Sequence, residues 1–356
     1  LEFSEFADLP IIDCHAHIPL RIRKEDDLKK EAETLKELIK KGYLTQMYLS
    51  AGSLGLYLKV KYPGFFYAGC PLPNPEASRR VDWDRYLSRL MEAGFDGVGE
   101  IVSKPAPRRE RIPLNDPYYE GFWSTCESRG YTVLCHVADP EEFWDERLAP
   151  SWAKERGWIY CGDEYPSKEE LYNEMEEILD NHPRLKIVLC HFYFMSADLE
   201  GLSSFLERHR NANVDLALGI ELIYNISKRR DDWRTFFIEY GDRIFFGTDI
   251  GVSRSFQQHL DRIWLIRNFL ESDEEFYTPS TADQLLTRYE EPFRGLSLPR
   301  HILERIYSAN FRRLWGAEPK NVKVDLAVSI CEEMGDRMTV NLLKTAKTKE
   351  MPRDIS

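Results

Sequence analysis

Short apolar runs alternate with longer stretches of helical periodicity along most of the chain, the pattern of a parallel sheet whose strands are joined by helices. The first run, 10–18 (PIIDCHAHI), precedes a predicted helix near 25–41 that sets Leu28, Ala32, Leu35 and Ile39 on one stripe and stops at Gly42. Further runs fall at 45–51 (TQMYLSA) and 65–72 (FFYAGCPL), with a looser connection between them. A helix at 82–93 leads to a fourth run at 96–102 (DGVGEIV), and one at 116–129 leads through Gly130 to a fifth at 131–138 (YTVLCHVA). Ser167 and Glu170 have the spacing of a capping box at the start of the next helix, and Pro183 lies past its end. The last three runs are 185–194 (LKIVLCHFYF), 213–219 (NVDLALG) and 243–249 (RIFFGTD), separated by helices at 197–209 and 231–240. Helices at 254–271 and 300–314 close the set.

Eight runs with helices between them predict a (β/α)₈ TIM barrel over residues 1–316, a fold that typically needs ~250 residues. The first run ends in histidines, where an open doubly wound sheet would carry a glycine-rich phosphate loop. Residues 317–356 are polar and punctuated by Pro319 and Pro352, and form a C-terminal extension expected to be helical or partly disordered.

Composition narrows the partners. The 356 residues are 43% hydrophobic, enough for one large core, and the formal charge of −12 argues against nucleic acid, which needs a basic surface. No stretch approaches the ~20 apolar residues of a membrane span, and LEFSEFADLP has neither the basic nor the apolar part of a secretory signal. Seven scattered cysteines suit reduced thiols and a cytoplasmic location. The expected partner is a small-molecule substrate, and a homo-oligomer is compatible with the chain.

The chemistry lies at the ends of the runs. Alternate residues of a strand share a face, so Asp13, His15 and His17 are expected to project together. His136 ends the fifth run, His191 the sixth and Asp249 the eighth, so closure would gather them at the C-terminal mouth. Imidazoles with one carboxylate suit Zn²⁺ or a similar ion with a position left for water. Cys14, Cys135 and Cys190 each precede one of these histidines, and strict alternation would send their thiols into the strand–helix layer as small hydrophobes. The residues alone do not separate ligand from acid/base among the histidines.

The ordered set of HxH, His, His and Asp resembles the amidohydrolase superfamily. HPRLKIVLCHF (182–192), FFGTD (245–249) and ILERIYSANFRRLWG (302–316) resemble its amidohydrolase 2 group, and the resemblance covers residues 10–316. That group holds mononuclear metal hydrolases and non-oxidative decarboxylases such as aminocarboxymuconate semialdehyde decarboxylase. The resemblance implies that His15, His17, His136 and Asp249 bind one divalent ion, Zn²⁺ first and Mn²⁺ or another ion next. His191 would lie beside it as acid/base or substrate polariser. The reaction expected is hydrolysis of a small amide, ester or lactone by metal-bound water, with Asp249 as general base. The alternative is decarboxylation of an aromatic or muconate-type carboxylate at the same site.

Glu100 ends the fourth run, where other amidohydrolases place a bridging carboxylate or a carboxylated lysine. A bridging Glu100 would bring a second ion; one ion is the preferred expectation, with Glu100 behind a ligand or against substrate. Asp13 is expected to hydrogen-bond a ligand, Arg254 to hold a substrate carboxylate and Tyr193 to line the pocket. Lys104, Arg108 and Arg109 are expected to be solvated, with Glu221 and Tyr224 at the rim. His182, His209, His259 and His301 fall on helices or their ends, as surface or capping residues.

Overall fold

The computed structural model describes residues 6–18, 22, 24–73, 80–219, 221–251, 254–286 and 289–350. Eight strands follow the predicted runs: β1 (Ile12–His17), β2 (Gln46–Ser50), β3 (Phe66–Cys70), β4 (Gly97–Ser103), β5 (Val133–Val137), β6 (Ile187–Leu189), β7 (Ala212–Asp215) and β8 (Ile244–Phe245). All pair in parallel in sequence order. Beyond the short β8, the backbone still closes the ring: Cys14 N–H donates to Phe246 O (2.9 Å), Asp249 N–H to His15 O (2.8 Å) and His17 N–H to Ile250 O (2.8 Å). The fold is thus a (β/α)₈ barrel.

Asp13 clasps this seam. Its Oδ1 accepts the backbone N–H groups of His15 (3.0 Å) and Thr248 (3.1 Å), and its Oδ2 accepts the Thr248 hydroxyl (2.5 Å). Burial pushes its carboxyl up to about 7. The expected contact with a ligand is therefore made to the backbone of His15, and the side chain lies outside the site.

Several of the helices are capped by short polar side chains. Asp82, Asp116, Ser167 and Asp198 each accept a backbone N–H of the first turn, and Ser167 with Glu170 forms the full capping box. One helix, Ser53–Lys61, occupies the connection read as loose. Its alternating LGLYLKVK has strand-like periodicity, but the segment is buried almost all round, so no polar stripe betrays a helix. It is covered by Arg337–Glu350, which follows Val324–Glu333; that second helix packs on Trp83–Ala93. The C-terminal extension is therefore helical over most of its length, and residues 351–356 lie outside the described residues.

Inside the barrel, Ile12, Tyr48, Tyr67, Leu134, Val188 and Phe245 form an apolar floor. Phe311 and Trp315 plug it, their rings stacked with centroids 4.6 Å apart. Trp315 reaches that place because Gly97 has no side chain: a Cβ there would stand 2.6 Å from the indole Nε1.

The strands do not keep strict alternation to their ends. The β1–β2 register shifts between Asp13 and Ala16, and the β4–β5 register between Val98 and Ile101. Cys14 packs with the barrel floor, while Ala16 packs in the outer layer with the helices. The shift lets Cys14 and His15 share the interior, which alternation forbids. Cys190 is also interior, its Sγ clustered with His15 and Asp215, and only Cys135 lies in the outer layer as expected. All seven cysteines are free thiols.

Candidate metal centre

Five imidazole and carboxylate groups converge at the mouth, and Glu100 is in their midst. His15 Nε2 and His17 Nε2 lie 3.1 Å apart. Asp249 Oδ1 is 3.9 Å from the first and 3.2 Å from the second. Glu100 presents Oε2 to His17 (3.3 Å) and Oε1 to both His15 (3.5 Å) and His136 Nδ1 (3.1 Å). His191 Nε2 stands 3.2 Å from His136 Nδ1. Glu100, expected at this strand end, comes inward beside a register shift in β4 that the residue pattern does not display.

The far nitrogens of three histidines reveal what the near ones offer. His15 Nδ1–H donates to Asp215 Oδ2 (2.8 Å), His136 Nε2–H to Ala138 O (2.9 Å) and His191 Nδ1–H to Ala217 O (3.1 Å). In its neutral form each ring has one N–H, so the nitrogen facing the centre then carries a lone pair. Burial opposes charge on His15 and His136, but the anions around them outweigh it and hold both rings above the usual imidazole range, so there a cation would take the place of a proton. Lone pairs facing one another at about 3.2 Å repel unless a proton or a cation lies between them. Donors bound to one tetrahedral ion at ~2.0–2.1 Å stand ~3.3 Å apart, which matches the spacings here. The nitrogen and oxygen donors therefore fit a divalent ion of the zinc type.

Charge and burial act together on these groups. Burial opposes ionisation of Glu100, but His15, His136 and His17 outweigh it and hold its carboxyl well below the usual range. For Asp249 burial is likewise overcome, by Arg254, His17 and Arg262. Burial, then the neighbouring His136 and His15, pulls His191 down to about 3, so its ring is neutral.

His191 starts an unusual turn. His191, Phe192, Tyr193 and Phe194 all have positive φ (57°, 56°, 55° and 49°), a left-handed run that L-residues adopt at a cost of ~1–2 kcal/mol each. It turns the aromatic side chains apart. Phe194 packs on His191 and His136 (centroids 5.0 and 5.4 Å). Tyr193 points away, between Tyr172 and Phe205 (4.6 and 4.8 Å), so it is core, and Phe194 is the aromatic of this run that meets the histidines.

The basic residues are already engaged. Arg254 donates to Asp249 O (2.7 Å) and to Asp283 Oδ2 (3.0 Å), and lies 3.4 Å from Asp249 Oδ2. The buried Arg262 donates to Asp283 (2.7 Å) and to the carbonyls of Leu218 and Thr248. Lys104 pairs with Asp139 (3.1 Å) and sits over the Trp158 ring, part of an aromatic lobe with Phe143, Trp152 and Tyr160 after β5. Arg108 forms an exposed pair with Glu170, and Arg109 is 84% exposed. At the rim, Tyr224 stacks on Tyr289 (3.7 Å), and Glu221 is buried with no hydrogen-bond partner for its carboxylate among the described residues.

The remaining histidines are elsewhere. His182 and His209 cap the C-termini of their helices, but both are buried, and they line a cavity of about 240 Å³ at the opposite end of β6 and β7. His259 is buried on its helix near Arg254 and Arg262, and His301 is exposed.

The residue pattern does not single out Asp215. It closes β7, whose run NVDLALG looks like an ordinary buried strand. The available signal was its position: a carboxylate at a strand end of the ligand-bearing face.

A closed barrel with histidines and carboxylates at its C-terminal mouth defines a class of metal-site enzymes. The family model for amidohydrolases, of the amidohydrolase 2 group, matches residues 12–317, and the chain belongs to this family. Family members include hydrolases and decarboxylases and are generally metal-dependent. No curated protein matches the chain. Among solved structures, it is similar to an uncharacterized TIM-barrel protein from Bordetella bronchiseptica, at 13% identity and a TM-score of 0.52, covering 86% of this chain and 98% of that one. It is also similar to a protein from Pseudomonas putida provisionally assigned as a 2-pyrone-4,6-dicarboxylic acid hydrolase, at 14% identity and 0.51, with the same coverage. A 2,6-dihydroxybenzoate decarboxylase from Rhizobium follows at 16% identity and 0.49, again covering 86% and 98%. Likeness to the first two, at this identity, speaks for the fold alone. No helix among the described residues is long and apolar enough to cross a membrane.

Proposed function

We propose that the protein is a metal-dependent hydrolase of a small amide, ester or lactone. The observation that carries the metal is the set of three imidazoles whose far N–H groups are tied to oxygen acceptors, which in the neutral rings leaves lone pairs facing Glu100, His17 and one another. A bound divalent ion would supply a nucleophilic water at neutral pH and polarise the scissile carbonyl. Asp249 supports the role of proton carrier, since Oδ1 faces the histidines while Arg254 steadies Oδ2. His191, neutral and with its proton on Nδ1, offers a lone pair at Nε2, which suits ligation or proton acceptance better than the expected polarising donor.

Two donor groups favour a pair of ions over the single ion expected from the resemblance. His15, His17 and Asp249 form one, His136 Nδ1 and His191 Nε2 the other, with the Glu100 carboxylate between them. Elemental analysis of the purified protein checks this: two equivalents support it, one equivalent returns Glu100 to a supporting role.

Hydrolysis is favoured over decarboxylation by the engaged cations. Among the described residues, Arg254, Arg262 and Lys104 each spend their charge on an internal carboxylate, whereas gripping a second substrate carboxylate asks for a cation turned to the pocket. A panel of lactones, esters and amides run beside 2,6-dihydroxybenzoate and related acids separates the two reactions. Acid release from the first set, lost with chelator and lowered ~10²–10⁴-fold by Asp249→Asn, supports the reading; CO₂ release from the second set alone overturns it.

A further inference from the structure

One carboxylate touches both halves of the centre. Asp215 is fully buried at the end of β7. Its Oδ2 accepts His15 Nδ1–H at 2.8 Å, and its Oδ1 accepts two backbone N–H groups, of His191 at 2.7 Å and Ala217 at 3.0 Å. The Ala217 carbonyl in turn accepts His191 Nδ1–H. A carboxylate is an acceptor only, so the contact with His15 keeps a proton on Nδ1, and in the neutral ring Nε2 is then bare. By holding Ala217, the same carboxylate sets the acceptor that orients the proton of His191. By holding the His191 N–H, it also anchors the first residue of the left-handed turn, whose conformation needs outside support.

We propose that Asp215 is the positioning residue of the centre, fixing the tautomers of His15 and His191 together so that both present lone pairs to one cation cluster. The inference rests on the metal-dependent reading above. Its room is built in: a Cβ on Gly247 would lie 3.1 Å from His15 Cβ, 3.2 Å from Cys14 Sγ and 3.3 Å from Asp215 Cβ. The interior at this level accommodates the His15–Asp215 pair and little else.

Asp215→Asn is the discriminating variant. Asn keeps the size and the oxygen that accepts the two backbone N–H groups, but turns the acceptor facing His15 into an N–H donor. His15 must then carry its proton on Nε2, the nitrogen that faces His17 and Glu100. Zn²⁺ affinity, measured by competition with a chromophoric chelator, is expected to fall 10–100-fold in Asp215→Asn, with far-UV circular dichroism unchanged. Affinity within about twofold of the parent in a folded variant overturns the proposal. Should the variant not fold, ¹⁵N-correlated NMR of the metal-free parent protein, at a pH high enough that the rings are neutral, decides: an Nδ1–H tautomer at His15 and His191 supports the assignment, and an Nε2–H tautomer at either sinks it. The NMR result stands apart from the hydrolase reading, because a parent that binds no Zn²⁺ fails that reading while the tautomers still judge Asp215.

Discussion

The floor of the barrel and its mouth are made by the same strands, yet they obey different rules. At the floor, inward positions alternate as a pleated strand requires, and they are filled by Tyr48, Tyr67, Leu134, Val188 and the Phe311–Trp315 plug. At the mouth, two register shifts and a left-handed turn break the alternation, bringing His15, Glu100 and His191 to one point. The floor is where hydrophobic burial stabilises the fold; the mouth is where the chain accepts strain and buried charge so that ligands meet. The layer between them, with Cys14, Cys190 and Gly247, belongs to both.

Changes at each level should separate these roles. Trp315→Ala opens the plug, and urea unfolding should show a loss of ~3–5 kcal/mol while metal stoichiometry stays as in the parent. A drop in metal content without a drop in stability would contradict the division. Gly247→Ala acts on the intermediate layer, where the added methyl meets backbone-fixed Cβ atoms that have little freedom to give way. It should cost ~1–3 kcal/mol and also weaken metal binding, so loss of stability alone would place the layer with the floor.

Glu221 tests the mouth through pH. Burial pushes its carboxyl up to about 7, against ~4.3 in an unfolded chain. Between those values the folded state keeps a proton that the unfolded state has lost, so stability due to this group falls as pH rises from about 4 to about 7. Glu221→Gln removes that dependence. Its stability relative to the parent should therefore rise by ~1–3 kcal/mol between pH 5 and 8, and a pH-independent difference in paired denaturation curves would show that Glu221 ionises freely. The smallest effect is expected at Tyr193, which lies in the outer layer with a buried hydroxyl that has no hydrogen-bond partner among the described residues. Tyr193→Phe should shift stability by less than ~1 kcal/mol and leave turnover unaltered; a change in KM would bring Tyr193 back to the pocket.

The same contrast explains what could be read in the residues. Every strand of the barrel coincides with an apolar run, because the floor and the outer layer both depend on side-chain periodicity, which a sequence displays directly. The helix Ser53–Lys61 escaped because burial on nearly all sides erases the polar stripe. At the mouth, the histidines and Asp249 were visible by residue type and by their places at strand ends. Glu100 was visible too, by its place at a strand end, but the way it reaches the centre was not. The interior places of Cys14 and Glu100 arise from register shifts, and the outward turn of Tyr193 from backbone dihedrals, neither of which leaves a periodic mark. Asp215 shows a third case, in which the function comes from hydrogen bonds to residues 24 and 200 positions away.

The clasp of Asp13 on Thr248 has a consequence for how the protein is made. It joins the first strand to the last, and more than two hundred residues separate His15 from Asp249. At ribosomal rates of ~5–20 residues per second, roughly 10–50 s pass between the emergence of the two. Throughout that interval the nascent chain displays His15 and His17 without the last strand's carboxylate, and without the plug at Phe311 and Trp315 that seals the floor. Completion of the centre therefore waits for nearly the whole barrel to leave the ribosome, and any release before Phe246 yields a chain whose first strand has no seam to close.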